Sequence, residues 1–192
     1  IARSAGDKFE IWKLPLKNNN NPHLFSLKCA RDDSVWIASG NGLFRWEKGE
    51  IERFSEEQGL IGSWINCLLE DRDGGIWIGA EGGLDKIAHM GFRNYRYQRD
   101  FPVNAVWAVA ELPDGTIWLG TNQGIMSIPP DGGHHRIYTT DHGLIDNSVI
   151  DLDVTENGTI WILTYNGVCF WDSGTFIAYP SDELESIGLY NL

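Results

Sequence analysis

Four tryptophans stand at a nearly constant spacing along this chain: Trp36, Trp77, Trp118 and Trp161, with steps of 41, 41 and 43 residues. The glycine six residues after each (Gly42, Gly83, Gly124, Gly167) keeps the same steps, and the turn positions Asp33, Asp73, Asp114 and Asn157 nearly do. A fixed period of this size, held through four copies, marks a repeat architecture whose units bury their faces against one another. It also settles what the glycines are for. A phosphate-cradling loop occurs once per site, whereas "DGTIWLGTNQG" (114–124) has a relative in every unit, so its glycines are structural punctuation.

Each unit reads as four short strands. The first covers Leu24–Cys29, Ile65–Leu69, Val106–Ala110 or Val149–Val154 and alternates imperfectly. An Asp-Gly or Asn-Gly pair follows in three copies, and such residues tolerate positive φ and favour a two-residue hairpin. The second strand carries Val35-Trp36-Ile37, Ile76-Trp77-Ile78, Ile117-Trp118-Leu119 or Ile160-Trp161-Ile162. It is apolar at consecutive positions, so both its faces are expected to be buried. A glycine-bearing turn leads to a third strand (Leu43–Trp46, Leu84–Ile87, Ile125–Ile128, Val168–Trp171). A more polar fourth closes the unit (Ile51–Phe54, Phe92–Tyr97, His135–Tyr138, Thr175–Tyr179). No segment holds a 3.6-residue apolar period, so helix should be nearly absent.

Four antiparallel strands in roughly 40 residues make the blade of a β-propeller, an all-β fold. The expected blades cover about 24–62, 63–103, 104–146 and 147–180 of a single propeller region spanning 1–192, with partial blades at 1–23 and 181–192. "KFEIWKLPL" (8–16) resembles an outer strand and "ESIGLYNL" (185–192) the entry to an inner one, so the chain reads as part of a larger ring, with a small ring closed by joining the ends as the alternative. A chain that begins at Ile1 rather than Met likewise reads as a processed or excised piece. Trp36, Trp77, Trp118 and Trp161 are assigned to the spaces between blades, each burying about 150–250 Å2. Gly79 and Gly120, two residues after their Trp on the same strand face, leave room beside it.

A formal charge of −12 and a pI near 4.7 argue against nucleic acid or an anionic membrane surface as partner. No apolar run approaches the roughly 18–20 residues of a membrane-spanning helix, so a membrane would be met only through segments outside this chain. Cys29, Cys67 and Cys169 lie within the strands, where free cysteine behaves as a small hydrophobe. Their odd number and lack of motif spacing fit neither a disulfide framework nor a zinc site.

Units such as "GLIDNSVIDLDVTENGTIWILTYNGVCFWDSGTFIAY" resemble the two-component-regulator propeller repeat over about residues 24–180. That pattern runs from a Gly-Leu lead-in through an inner strand, an acidic residue and an Asp-Gly or Asn-Gly turn to Ile-Trp-Ile/Leu-Gly-Thr. "EDRDGGIWIGAEGGL" and "ELPDGTIWLGTNQGI" are the nearest copies. "ARDDSVWIASGNGL" lacks the turn glycine, Leu163 replaces the small residue in the fourth unit, and "DFPVNAVW" stands where the third lead-in should be. The resemblance implies a sensor: the extracytoplasmic, periplasmic input half of a bacterial signalling protein, with a histidine kinase or diguanylate cyclase as output elsewhere. Similar repeats occur in a propeller lyase that opens a cyclic peptide antibiotic, which supplies an enzyme as the alternative.

No catalytic constellation, metal site or cofactor motif is complete. "EDRDGG" (70–75) lacks the alternating carboxylates and distal Glu of a calcium loop. His134, His135 and His142 with Asp141 form a metal or acid/base candidate, but His142 occupies the place of Gln58 in the "DHGL" and "EQGL" lead-ins. Asp151 and Asp153 share a strand face but lack a partner across a substrate. "NGT" (157–159) matches a glycosylation sequon that the repeat already explains as a turn.

Propeller geometry gathers the loops between second and third strands with the connections between blades on one rim. The first set brings Asn41, Glu81, Asn122, Gln123 and Tyr165, the second Trp64, Arg99, Asn104, His142 and Asn147. These are the candidate ligand-binding residues, and an acidic, Trp- and Asn-bearing rim suits a neutral oligosaccharide or another small neutral or cationic ligand. The unfinished ends call for further blades or a second chain, a homodimer included.

Overall fold

The computed structural model describes residues 2–5, 8–11, 14, 23–88, 91–96 and 102–180. A short hairpin, β1 (Ala2–Ala5) with β2 (Lys8–Ile11), precedes four sheets of four antiparallel strands. Blade I holds β3 (Leu24–Cys29), β4 (Val35–Ser39), β5 (Gly42–Glu47) and β6 (Glu50–Phe54). Blade II holds β7 (Ile65–Glu70), β8 (Ile76–Ala80), β9 (Gly83–Ala88) and β10 (Gly91–Arg96). Blade III comprises β11 (Val106–Glu111), β12 (Ile117–Thr121), β13 (Gly124–Ile128) and β14 (Arg136–Tyr138). Blade IV comprises β15 (Val149–Val154), β16 (Ile160–Thr164), β17 (Gly167–Asp172) and β18 (Thr175–Ala178). Strand order follows sequence order within every blade, and the first strands β3, β7, β11 and β15 lie beside one another as the inner strands of the propeller. Among the described residues the helical segments are two 3-10 turns, Glu56–Gln58 and Thr140–His142. The expected strand at 8–16 is β2 over Lys8–Ile11, and the expected partial blade at 181–192 lies outside the described residues.

The tryptophans make the core. Trp36, Trp77 and Trp118 are buried, each in an apolar cluster that reaches into the following blade. Trp77, for example, packs with Val106, Val109, Ile117 and Leu119 of blade III. Each Trp also faces the aromatic residue of its own fourth strand or the residue just after it: Trp36–Phe54 at 5.7 Å, Trp77–Tyr95 at 5.8 Å, Trp118–Tyr138 at 5.4 Å and Trp161–Tyr179 at 5.7 Å between ring centroids. The longer third step of the repeat arises in the β13–β14 connection, where Pro129–His135 inserts two residues without disturbing the Trp–Tyr pair. Trp161 is only half-buried, because no described blade covers the far face of blade IV.

The room beside the Trp is used by the next blade. A Cβ on Gly79 would stand 2.8 Å from Val106 Cγ1, and one on Gly120 would stand 2.7 Å from Val149 Cγ1, closer than real Cβ contacts allow. The glycines are therefore holes for the knobs Val106 and Val149.

The loop from first to second strand is not the expected two-residue hairpin. In blade II it runs Asp71–Gly75, with Asp71 N–H donating to Gly75 O (2.9 Å) and Gly74 N–H to Asp71 O (3.0 Å). One positive φ per loop suffices, at Gly74 (82°) and, in blade I, at Asp33 (66°), a left-handed conformation that Asp tolerates. Consecutive positive φ values, the signature of the tight two-residue hairpin, occur instead between third and fourth strands at Lys48-Gly49 and Ser173-Gly174, and between second and third strands at Gly82-Gly83.

Candidate functional site

Every inner strand carries a β-bulge at its second residue, where the register slips by one: at Phe25, Asn66, Trp107 and Ile150. A bulge leaves one residue unpaired and re-aims its side chain. This extra residue is the cause of the imperfect alternation in the first strands. Phe25, Trp107 and Ile150 are exposed in consequence, while Asn66 turns its Nδ2 to Val106 O at 3.0 Å.

The loops between second and third strands close onto the blade connections, as the repeat predicts. Gly42 N–H donates to Ser63 O (2.7 Å), Gly82 N–H to Asn104 O (2.6 Å) and Gly124 N–H to Asn147 O (2.7 Å). Glu81 N–H donates to Trp64 O (3.1 Å) and Tyr165 N–H to Ser148 O (3.2 Å). Asn41, Glu81, Asn122, Gln123 and Tyr165 thus share one rim with Trp64, Asn104 and Asn147. Arg99 lies outside the described residues.

Two aromatic patches stand on this rim. At blades I and II, Trp64 sits 5.2 Å from Phe25 and 6.4 Å from His23 between ring centroids. Its ring lies over Gly40, 3.2 Å from where a Cβ would be. At blades III and IV a cavity of about 130 Å3 is lined by Trp107, Asn122, Ser148, Val149, Ile150 and Tyr165. Exposure of 39 % for Trp64, 43 % for Trp107 and 79 % for Tyr165 leaves ring faces open to solvent. His23, Phe25, Trp107 and Ile150 were not among the sequence candidates. An aromatic or aliphatic side chain at the second position of an inner strand is the signal that marks three of them.

His142 does not belong to this patch. It occupies the third position of a 3-10 capping box: its Nδ1 accepts from Thr139 N–H at 3.1 Å and its ring packs edge-on to Tyr138 at 6.0 Å. Gln58 does the same for Ser55, so the alignment of the two lead-ins reflects a shared cap. His134 instead lines a cleft between blades III and IV with Asp114 and Arg136. Asp151 and Asp153 each accept from the N–H of the following residue, at 2.9 Å in both cases, and so satisfy donors on the unpaired edge of β15. Cys169 is buried as expected and Cys67 is half-buried, whereas Cys29 is exposed because no described blade precedes β3.

The opposite face is organised by ion pairs. Arg31 of blade I reaches Glu70 of blade II (3.2 Å) and the carbonyls of Asp71 and Arg72. One period later, Arg72 reaches Glu111 of blade III, through its backbone N–H (2.8 Å) and Nε, and the carbonyls of Leu112 (2.7 Å) and Pro113 (2.9 Å). Asp71, the centre of the calcium-like "EDRDGG", is saturated by protein donors: Gly75 N–H (2.8 Å), Asp73 N–H (3.0 Å), Trp77 Nε1 (2.8 Å) and Lys86 Nζ (2.7 Å). Among the described residues no helix is long and apolar enough to cross a membrane, and no cluster of three His, Cys, Asp or Glu side chains could hold a metal.

The model of the two-component-regulator propeller family matches residues 59–82 and 100–123, each running from a blade connection through the Trp strand to the following loop. No curated protein sequence matches the chain significantly. Solved structures share the fold. The extracellular domain of the hybrid two-component system BT3049 from B. thetaiotaomicron superposes with a TM-score of 0.80 at 19 % identity over 91 % of this chain and 25 % of its own. That of the one-component system BT4673 from the same organism gives 0.73 at 21 % identity over 85 % of this chain and 22 % of its own. Virginiamycin B lyase from Staphylococcus aureus, crystallised with quinupristin, gives 0.69 at 20 % identity over 90 % and 60 %. The chain thus spans about a quarter of the two signalling domains it resembles. With four sheets in sequence order and the family pattern at the Trp strands of blades II and III, the chain is a β-propeller that carries the two-component-regulator propeller repeat at residues 59–82 and 100–123.

Proposed function

We propose that this region is a non-catalytic ligand-sensing or interaction propeller, the extracytoplasmic input part of a bacterial signal-transduction protein. Its ligand site is the loop rim, and its ligand a neutral oligosaccharide. The observation that carries the reading is the pair of open aromatic patches, Phe25–Trp64 and Trp107–Tyr165, beside the exposed amides Asn104, Asn122 and Gln123. Flat ring faces offer the apolar side of a sugar a stacking surface, and neighbouring amides serve its hydroxyls. The rim residues differ between copies while the scaffold repeats, as separate constraints on site and frame require.

The alternative, a lyase or hydrolase acting on the same rim, draws on the shared fold of virginiamycin B lyase. It needs an acid/base group there; His142 is committed to its cap, which leaves His23 and Glu81 as the ionisable groups of the rim. The test is a thermal-shift screen of oligosaccharides and cyclic peptides. Ligand binding to the folded state raises Tm, so a saccharide should stabilise the chain without turnover and Tyr165→Ala or Trp107→Ala should abolish the shift. Turnover of any ligand, lost in His142→Ala, would establish the enzyme instead.

A further inference from the structure

Across the ladder from each Trp stands one residue of the third strand, and in two blades that residue is a cation. Arg45 is opposite Trp36, with its guanidinium 5.4 Å from the ring centroid, and Lys86 is opposite Trp77, with its ammonium at 4.6 Å. Each cation also meets a carboxylate of the loop between first and second strands: Arg45 meets Asp32 (3.1 Å) and Lys86 meets Asp71 (2.7 Å). Blade III keeps the ring and the carboxylate but not the cation. Ser127 is opposite Trp118, and Asp114 stands four residues before its Trp, as Asp32 does. Among the described residues Asp114 accepts from Thr116 N–H (2.8 Å) and pairs with no cation.

We propose that the cleft between blades III and IV, on the face opposite the rim, binds an alkylammonium ion, which supplies the charge that blades I and II carry in their own sequence. The cleft has a volume of about 320 Å3. Trp118, Tyr138 and Trp171 wall it with ring centroids 5.1 to 5.4 Å apart, and Trp171 stands where blades II and III have Ile87 and Ile128. A cation beside such rings is attracted by their quadrupole, the more so where water is excluded. Asp114 supplies the counter-charge. Ser127 lines the cleft at 6 % exposure, and among the described residues its hydroxyl has no hydrogen-bond partner. The other ionisable residues of the lining, His134 and Arg136, lie on its outer side, with Arg136 one strand beyond Ser127. The Arg136 charge opposes a second cation and so tempers the affinity, while the net charge of −12 favours one.

Calorimetric titration of the 192-residue chain tests this with three probes: choline, its uncharged isostere with carbon in place of the quaternary nitrogen, and N-acetyl-lysine amide. At least one of the two cations should bind about tenfold or more tightly than the isostere. Choline as the tighter ligand assigns the site to a free small cation, and the lysine amide as the tighter one assigns it to a side chain of a protein partner. Asp114→Asn should weaken the cation, and Arg136→Gln should tighten it. Ser127→Lys sets the blade II arrangement over Trp118 and should abolish binding, while Tyr165→Ala on the rim should leave it unchanged. Circular dichroism of each variant confirms the fold, and Asp114→Asn carries the test if Ser127→Lys does not fold. The proposal is overturned if neither cation binds, if the isostere binds as tightly as both, or if binding survives Asp114→Asn undiminished.

Discussion

Trp118 and Trp161 hold equivalent positions and differ in what lies beyond them. Trp118 is covered by Trp171 and Phe176 of blade IV, at 5.4 and 6.4 Å between ring centroids, while among the described residues the ring contacts of Trp161 are with Phe170 and Tyr179 of its own blade. Trp118→Ala should therefore cost about 3–5 kcal/mol, as large-to-small core changes do, and Trp161→Ala about half that. Denaturant unfolding of the two variants measures the difference, and equal losses would mean that Trp161 is covered after all. Two carboxylates make the acid response residue-specific. Burial would raise Asp71, but Lys86, Gly75 N–H and the Trp77 indole hold it below its ordinary 3.8. Its contribution is then present above that value and lost as pH falls through the lowered pKa. Asp85, fully buried where the other blades have Phe44, Met126 and Cys169, is pushed up by burial, partly offset by Ile61 N–H and Asn94. Its contribution falls as pH rises from 3.8 to the raised pKa, the opposite sign. Melting followed between about pH 3 and pH 6 should show Asp85→Asn losing that decline and Asp71→Asn losing part of the acid-side drop.

At the scale of strands and turns, much was legible because it repeats. Trp spacing places every second strand, and the glycine pattern places the holes beside it. The bulges were hidden: alternation slips by one residue in all four inner strands, which in sequence looks only like weak periodicity. That slip is what sends Phe25, Trp107 and Ile150 to the rim, so part of the candidate site was missed with it. The arginine staples were hidden for a different reason. They recur only twice, with Arg31 and Arg72 replaced by Pro113 and Glu156 in later blades and Glu70 and Glu111 by Val154 at the last, so the period does not reveal them. Their side-chain burial is unequal, with Glu111 at 13 % exposure and Arg72 at 46 %. Removing the arginine side chain leaves two backbone carbonyls without their donor and a largely desolvated carboxylate held by the backbone N–H of residue 72. Arg72→Ala should cost about 1–2 kcal/mol after solvent screening, and Arg72→Lys should recover little, since one ammonium cannot serve all three acceptors. A lysine variant as stable as the parent would reduce the staple to a simple charge pair.

Over the whole molecule, stability follows the number of covered faces. Blades II and III are sandwiched, and their second strands Ile76–Ala80 and Ile117–Thr121 are buried at every residue. Among the described residues blade IV has one covered face, and Ile160–Thr164 alternates between buried and open. In a propeller each blade draws its support from its two neighbours, so opening should begin where a neighbour is missing rather than at the weakest hydrogen bonds. Backbone amides of Ile76–Ala80 and Ile117–Thr121 should exchange most slowly and those of Ile160–Thr164 markedly faster, although all three strands are paired on both edges. Uniform protection across the three strands in the isolated chain would show that the blades open as one unit, with no gradient set by their neighbours.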